Sequence, residues 1–237
     1  QPKPERIDEL LVKPNMEKEQ AIPVLLMGAV GTSVNIAQQI NHDSTSPLEV
    51  VGWCVDLPAI GTQIEGLPVL TDRSLLSGYL EAHPETRLIF NMFTQSAMAA
   101  RLQLLLELEV PRERFVNYIH PDATVAKSAT MGVGNVIFPG ARLAHGVELG
   151  DFNIVNYNAV VEHDSRVGTG NFLAANSTLG SHVTLNASNF IGLGSSVRER
   201  TTLNGTVVGM GAVVLQDFNQ CTVVGVPARS LQAPSAS

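Results

Sequence analysis

The segment Val161-Glu162-His163-Asp164 sets an imidazole directly beside a carboxylate. A neutral histidine is the usual general base near pH 7, and a neighbouring carboxylate raises its basicity. Such a pair can take a proton from an attacking amine or hydroxyl. A further histidine, His145, stands eighteen residues earlier. Solvated surface histidines with no chemistry are the competing reading, and these residues alone leave it open. A separate group is Gly28-Ala-Val-Gly31-Thr-Ser33, between an apolar run and a helical pattern. Backbone N–H groups converge at such a turn, and the helix dipole favours an anion. Asp56 closes the next apolar run, where a carboxylate can accept hydrogen bonds from a ribose or a base. The third glycine of the dinucleotide fingerprint is missing. NAD and FAD are therefore unsupported, and a purely structural turn fits as well.

Every sixth residue from Ile119 to Leu203 is aliphatic or Met, over fifteen positions without a break. Neither an α-helix nor an ordinary strand has that period. A hexad repeat marks a coil of short parallel strands stacked along one axis. The residue four places after each is mostly small or short: Ala123, Ala129, Asn135, Ala141, Ala159, Ser165, Ser177 and Ser195. A tight corner beside an inward aliphatic requires such residues. In this phase His163 lies two residues past inward Val161, at a corner where side chains reach out of the coil. Eighteen residues is three hexads, so His145 and His163 should stack on neighbouring coils. The phase slips by one residue near the end, where Val208 and Val214 continue the series in place of positions 209 and 215.

Before the hexads, strands are expected over Ala21–Met27, Leu48–Val55 and Arg87–Asn91, and helices over Val34–Ile40 and Ser96–Leu108. A turn and a further helix are expected between Gly66 and Leu80. Alternating strand and helix mark a small parallel α/β unit. Residues 1–20 read as a mobile polar tail, with one helical turn around Asp8–Leu11. Residues 219–237 read as a cap and tail, because a parallel coil exposes an unpaired edge at its end.

Composition closes off several classes. The net charge is −7 and no run of Lys or Arg occurs, so counterion-driven nucleic-acid binding is not expected. Backbone N–H groups can still hold a small anionic substrate. Cys54 and Cys221 are too few and too far apart for a disulfide framework or a zinc cluster. The apolar stretch Ile22–Val30 is too short to span a bilayer, and no signal-peptide pattern precedes it, so a cytoplasmic setting is expected. The six histidines are His42, His83, His120, His145, His163 and His182. No pair in the coil shows close ligand spacing, and His182 is one register off the His145/His163 column. No metal is expected.

Five segments carry a resemblance: Tyr118-Ile-His-Pro-Asp-Ala123, Val155-Asn-Tyr-Asn-Ala-Val-Val-Glu-His-Asp164, Phe190-Ile-Gly-Leu-Gly194, Val208-Gly-Met-Gly-Ala-Val213 and Gly225-Val-Pro-Ala228. From about Ala21 to Leu231 the chain resembles the bacterial sugar O-acyltransferases and nucleotide-amino-sugar N-acetyltransferases of the PglD/NeuD type. The resemblance implies a Rossmann-like nucleotide-sugar-binding domain over 21–116 and a left-handed parallel β-helix over 117–218. It implies a homotrimer with active sites between subunits, and acetyl-CoA as co-substrate for a nucleotide-linked amino sugar. His163 then matches the general base and Asp164 its acidic partner. Asn156 matches a residue near the acceptor sugar, and Gly28, Gly31 and Asp56 match the nucleotide loop and its acid. Phe172, Ser181, Gly192, Leu193, Val226 and Pro227 fall where the family binds the acyl-CoA arm. A backbone N–H, as at Ser181, would hold the oxyanion. Neither cysteine lies in a candidate site, so no acyl-enzyme is expected.

Several positions depart from the pattern. Gly31-Thr-Ser stands for the family's Gly-His-Gly, and Asn91-Met-Phe-Thr for a small, Gly-containing segment. Phe172 and Ser181 stand for a histidine and a glycine. Rival readings are O-acetylation of a sialic-acid-type sugar, and a non-catalytic nucleotide-sensing scaffold. Long-chain transfer of the lipid A type lacks an extra apolar segment to hold the chain.

Overall fold

The computed structural model describes residues 21–29, 31–56 and 61–231, and the tail expected over 1–20 lies outside the described residues. The chain begins with β1 (Ile22–Met27), α1 (Thr32–His42), β2 (Leu48–Cys54), β3 (Gln63–Ile64) and β4 (Leu67–Thr71). It continues through α2 (Leu76–Ala82), β5 (Arg87–Phe90) and α3 (Met98–Leu106). The five strands form one sheet in the order β3-β4-β2-β1-β5. All pairs are parallel except β3 with β4. The expected turn and helix are both present, as the hairpin tip at Gly66, at φ 78°, and as α2, but Leu67–Thr71 between them is an unexpected strand that pairs with β2. Gly and Pro in this stretch hid a strand that tertiary pairing enforces.

β1 is apolar throughout because both its faces are covered, as is usual for a parallel strand. Val24 and Leu26 pack with Ile36 and Ile40 of α1, whereas Leu25 and Met27 pack with Leu76 and Leu80 of α2 and Leu105 of α3. Helices therefore cover both faces. The strand order reverses at β1 and β5, and the C-terminal ends of those strands open a crevice between them.

From Tyr118 onward the chain forms strands of mostly two residues, in three parallel stacks. The first stack holds Ile154–Val155, the second Val160–Val161 and the third Arg166–Val167. Val161 pairs with Leu143 and Leu179, eighteen residues away on either side, so one coil is three hexads. These stacks fit the β-helix expected. Ile137, Val155, Leu173 and Ile191 are fully buried along the axis, while Ile119 is 41% exposed at the open first coil. The phase slip is real: Phe190 pairs with Val207 and Ser196 with Val213, seventeen residues on. The cap is a short antiparallel strand, Arg229–Ser230, on Thr222–Val224.

Two further columns hold the coil. Asn135, Asn153, Asn171 and Asn189 stack inside it, all fully buried. Each Oδ1 accepts the backbone N–H of the residue one coil on, as Asn153 Oδ1 does from Asn171 at 2.9 Å. From Gly134 onward most corners also turn through a left-handed residue, among them Asn158, Asp164, Asn176 and His182 at φ 55–59°. The α/β unit sits on the outer face of the first stack. Tyr118, Val136, Phe138, Ile154 and Phe172 share one apolar cluster with Val24, Leu26 and Ile36.

Candidate active site

His163 and Asp164 stand at the corner between the second and third stacks, as the repeat phase requires. Inward Val161 fixes the strand end, and the backbone N–H of Asp164 donates to His145 O on the preceding coil at 2.9 Å. The side chains are 49% and 46% exposed. His163 Nδ1 lies 2.9 Å from Asp164 Oδ2. An ionised carboxylate only accepts, so this bond puts the ring proton on Nδ1 and leaves the Nε2 lone pair outward. That hydrogen bond holds the Asp164 carboxyl below the usual carboxylate range, with the charges of His163, His182 and His145 adding to it.

The ring that meets His163 is that of His182, with centroids 5.3 Å apart and edge to face. This corrects the expectation that His182 stands off and that no close pair exists. His182 occupies the column of Asp164, one coil on, and its N–H donates to His163 O at 3.0 Å. His145 holds the equivalent position one coil back, but its Nδ1 is 2.8 Å from Ser128 Oγ. Ser181 shares the same corner, and among the described residues no acceptor is recorded for its backbone N–H.

The remaining expected residues lie elsewhere. Asn156 follows the first stack, on a different edge of the coil, and its Oδ1 accepts the Tyr157 N–H at 2.8 Å. Gly192, Leu193, Val226 and Pro227 follow first-stack strands along that same edge. Leu193 and Val226 are 49% and 73% exposed there. Phe172 is buried instead, stacked on Phe190 at 5.2 Å in the cluster beneath the α/β unit. Within one chain Ser181 thus shares the edge of His163 and Asp164, while Gly192, Leu193, Val226 and Pro227 lie on another edge of the coil.

Gly28, Thr32, Ser33, Asp56 and Asn91 line a cleft of about 450 Å³ at the C-terminal ends of β1, β2 and β5. A Cβ on Gly28 would stand 2.5 Å from Asn91 O, so only glycine fits this crossing. Ser33 Oγ donates to Asn91 O at 3.0 Å and accepts from Asn91 Nδ2 at 3.0 Å, which ties the two loops together. Gly31 precedes α1 with no side-chain cap, leaving the first N–H groups of the helix open to a ligand. Asp56 reaches the cleft, but its carboxylate is engaged by Arg73. Oδ1 accepts the Arg73 backbone N–H at 2.9 Å and Oδ2 the Arg73 Nε. Arg101 lines the cleft as well. Burial pushes the Cys54 thiol in its wall up to about 12, with Asp56 and Asp72 adding to the shift, so Cys54 offers no thiolate there.

No protein-family model and no curated protein matches the chain by sequence. Solved structures do match. The acetyltransferase domain of PglB from Neisseria gonorrhoeae is 27% identical over 89% of this chain and 100% of that one, with a TM-score of 0.77. A variant of perosamine N-acetyltransferase from Caulobacter crescentus, in complex with CoA and GDP-perosamine, is 26% identical over 89% and 97%, with a TM-score of 0.78. WeeI from Acinetobacter baumannii shares the fold at 21% identity, over 88% and 99%, with a TM-score of 0.73. The chain is similar in sequence and fold to hexapeptide-repeat sugar acetyltransferases. It is an acyltransferase.

In this hexapeptide-repeat acyltransferase, sequence reasoning missed three polar groups of the two sites. His182 is visible as eighteen residues past Asp164, a count that matters only once corner side chains are seen to lean across coils. Arg73 and Arg101 carry no repeat or motif signal, and only the folded sheet brings them to the cleft.

Proposed function

We propose that this acyltransferase moves the acetyl group of acetyl-CoA directly to the amine of a nucleotide-linked sugar, with His163 as general base. The observation that carries this reading is the His163–Asp164 hydrogen bond at an exposed corner, with Nε2 left free to take a proton. The amine nitrogen attacks the thioester carbonyl carbon as His163 Nε2 removes its proton. The carbonyl electron pair moves to oxygen, where the open Ser181 N–H is suited to receive it. The C–S bond then breaks, and the imidazolium returns its proton to the leaving thiolate. The products are the acetamido sugar and the CoA thiol.

The reading divides the chain into a Rossmann-like nucleotide-sugar domain over 21–116, a left-handed β-helix over 117–218 and a cap over 219–237. The cleft between β1 and β5 takes the nucleotide, with its anionic groups at the N-terminus of α1 near Arg73 and Arg101. The exposed row of Leu193 and Val226 takes the acyl arm. These residues and His163 lie on separate edges, so a complete site needs a second copy of the chain, which supports a homotrimer with shared active sites. The co-substrate and acceptor agree with what the matched Caulobacter protein holds, CoA and GDP-perosamine.

The test is a panel of nucleotide-linked amino sugars incubated with acetyl-CoA, with free thiol followed over time. At least one amino sugar should release thiol and gain the mass of one acetyl group, and the hydroxyl analogue should not. Thiol release at the blank rate with every amino sugar would refute the N-acetyl reading.

A further inference from the structure

The corner that holds the general base has a second chemical property. One ring nitrogen of His163, one of His182 and a carboxylate oxygen of Asp164 lie within 4.8 Å of one another. The backbone beneath them is fixed: His182 N–H donates to His163 O at 3.0 Å, and Asp164 N–H to His145 O at 2.9 Å. The side chains of His163 and Asp164 are about half exposed, and they are joined to each other by a hydrogen bond of 2.9 Å. Two imidazoles and a carboxylate suit zinc and its neighbours in the first transition row. Zinc binds nitrogen and oxygen at about 2.0–2.2 Å, so ligand atoms around a tetrahedral ion stand roughly 3.4 Å apart. Closing from 4.8 Å to that spacing asks only for side-chain rotation. Three protein ligands leave the fourth position to water.

We propose that His163, Asp164 and His182 form a zinc site whose occupancy switches acetyl transfer off. The binding part stands on this geometry alone, and the inhibition rests on His163 being the base. Whichever ring nitrogen of His163 binds, the free lone pair that would accept the amine proton is lost. Coordination through Nε2 uses it directly, and coordination through Nδ1 places the remaining ring proton on Nε2.

The experiment is a calorimetric titration of zinc chloride into the full chain in a non-coordinating buffer, with wild type, His182→Asn and His163→Asn. Asn158 and Asn176 hold the same left-handed backbone at equivalent corners, so His182→Asn keeps the coil. The expected result is one saturable site per chain that each variant weakens by at least about tenfold. Equal affinity in all three proteins, or no saturation below about 1 mM, overturns the site. Neither acetyl-CoA nor a sugar is present, so this outcome is independent of the proposed activity. In the transfer assay zinc should inhibit wild type and EDTA should restore it. Measured against its own zinc-free rate, His182→Asn should require at least tenfold more zinc for the same inhibition. Saturable binding through His182 without inhibition would overturn the switch and count against His163 as the base.

Discussion

Asp164 lies over Gly146 on the preceding coil, so close that a Cβ on the glycine would stand 2.5 Å from Asp164 Oδ1. Gly146 is also left-handed, at φ 67°. The bare backbone of one coil thus makes room for the carboxylate that orients the histidine of the next.

Gly146→Ala should therefore lower both stability and activity. A left-handed non-glycine residue costs about 1–2 kcal/mol, and the methyl group must push the Asp164 carboxylate off His163. Gly211→Ala is the control, because Gly211 has φ 66° with nothing within 4 Å of its missing Cβ. Both variants should lose similar melting temperature, and only Gly146→Ala should lose kcat. Equal kcat in the two would mean that Asp164 does not set the base.

His163→Ala should reduce kcat by about 10²–10⁴-fold, the usual contribution of a positioned general base. Asp164→Asn, which removes the charge but keeps an amide oxygen as acceptor, should cost a smaller part of that, about tenfold. Asp164 is held below the usual carboxylate range, chiefly by the His163 hydrogen bond, so it stays ionised in mild acid. The loss of activity as pH falls from 7 to about 5 must then come from another group. Asp164→Asn should leave that acid limb in place at a lower plateau, and a limb that disappears in the variant would reverse the assignment.

How far the sequence was legible follows from which interactions repeat. A six-residue aliphatic series is dictated by the inside of the coil, so it showed the β-helix, the corner of His163 and the slip at Val208. The column Asn135, Asn153, Asn171 and Asn189 is as regular, yet only its hydrogen bonds show why asparagine is needed. The contact of His163 with His182 spans nineteen residues, which is no multiple of six, because corner side chains lean toward the next coil. The Asp56–Arg73 pair depends on where β4 ends, and that strand is disguised by Gly66 and Pro68. Asp56 thus also positions an arginine, with each of its carboxylate oxygens already accepting one hydrogen bond from Arg73.

Arg73→Gln tests that positioning role. Removing the guanidinium should raise KM for the nucleotide sugar by about 10–100-fold, as expected for loss of a hydrogen bond to a charged group, with kcat little changed. Asp56→Asn should show a weaker effect in the same direction, through a less well held Arg73. A KM that rises more in Asp56→Asn than in Arg73→Gln would return the reading role to the carboxylate.

Asp151 anchors the junction between the α/β unit and the coil. Its carboxylate accepts Arg112 Nη2 at 2.7 Å, Arg112 Nε at 3.1 Å and the Val133 N–H at 2.8 Å. Burial raises its carboxyl pKa, but the hydrogen bond from Arg112, that from Val133 and the Arg112 charge outweigh it and hold it below the usual range. A depressed folded-state pKa contributes stability that is complete above the ordinary value, near 4, and is lost as pH falls through the folded value. Wild type should therefore melt above Asp151→Asn at pH 7, and the two should converge as pH falls below the ordinary carboxylate range. Parallel melting curves across that range would mean that the pair adds nothing to folding.

Asn153 offers the sharpest test of what holds the coil. It is fully buried, and its Oδ1 accepts Asn171 N at 2.9 Å and Asn171 Nδ2 at 3.1 Å. Its own Nδ2 donates to Asn135 Oδ1 at 3.1 Å and to Gly168 O at 2.8 Å. Asn153→Ala leaves two donors of Asn171 without that acceptor in a space closed to water, and an unpaired buried polar group costs about 1–3 kcal/mol. The total should be about 3 kcal/mol, or roughly 6–12 °C in melting temperature for a chain of this size. Asn153→Asp keeps the acceptor but loses both donors and buries a charge, so it should be no milder. A melting temperature for Asn153→Ala within about 2 °C of wild type would show that apolar stacking alone sustains the coil.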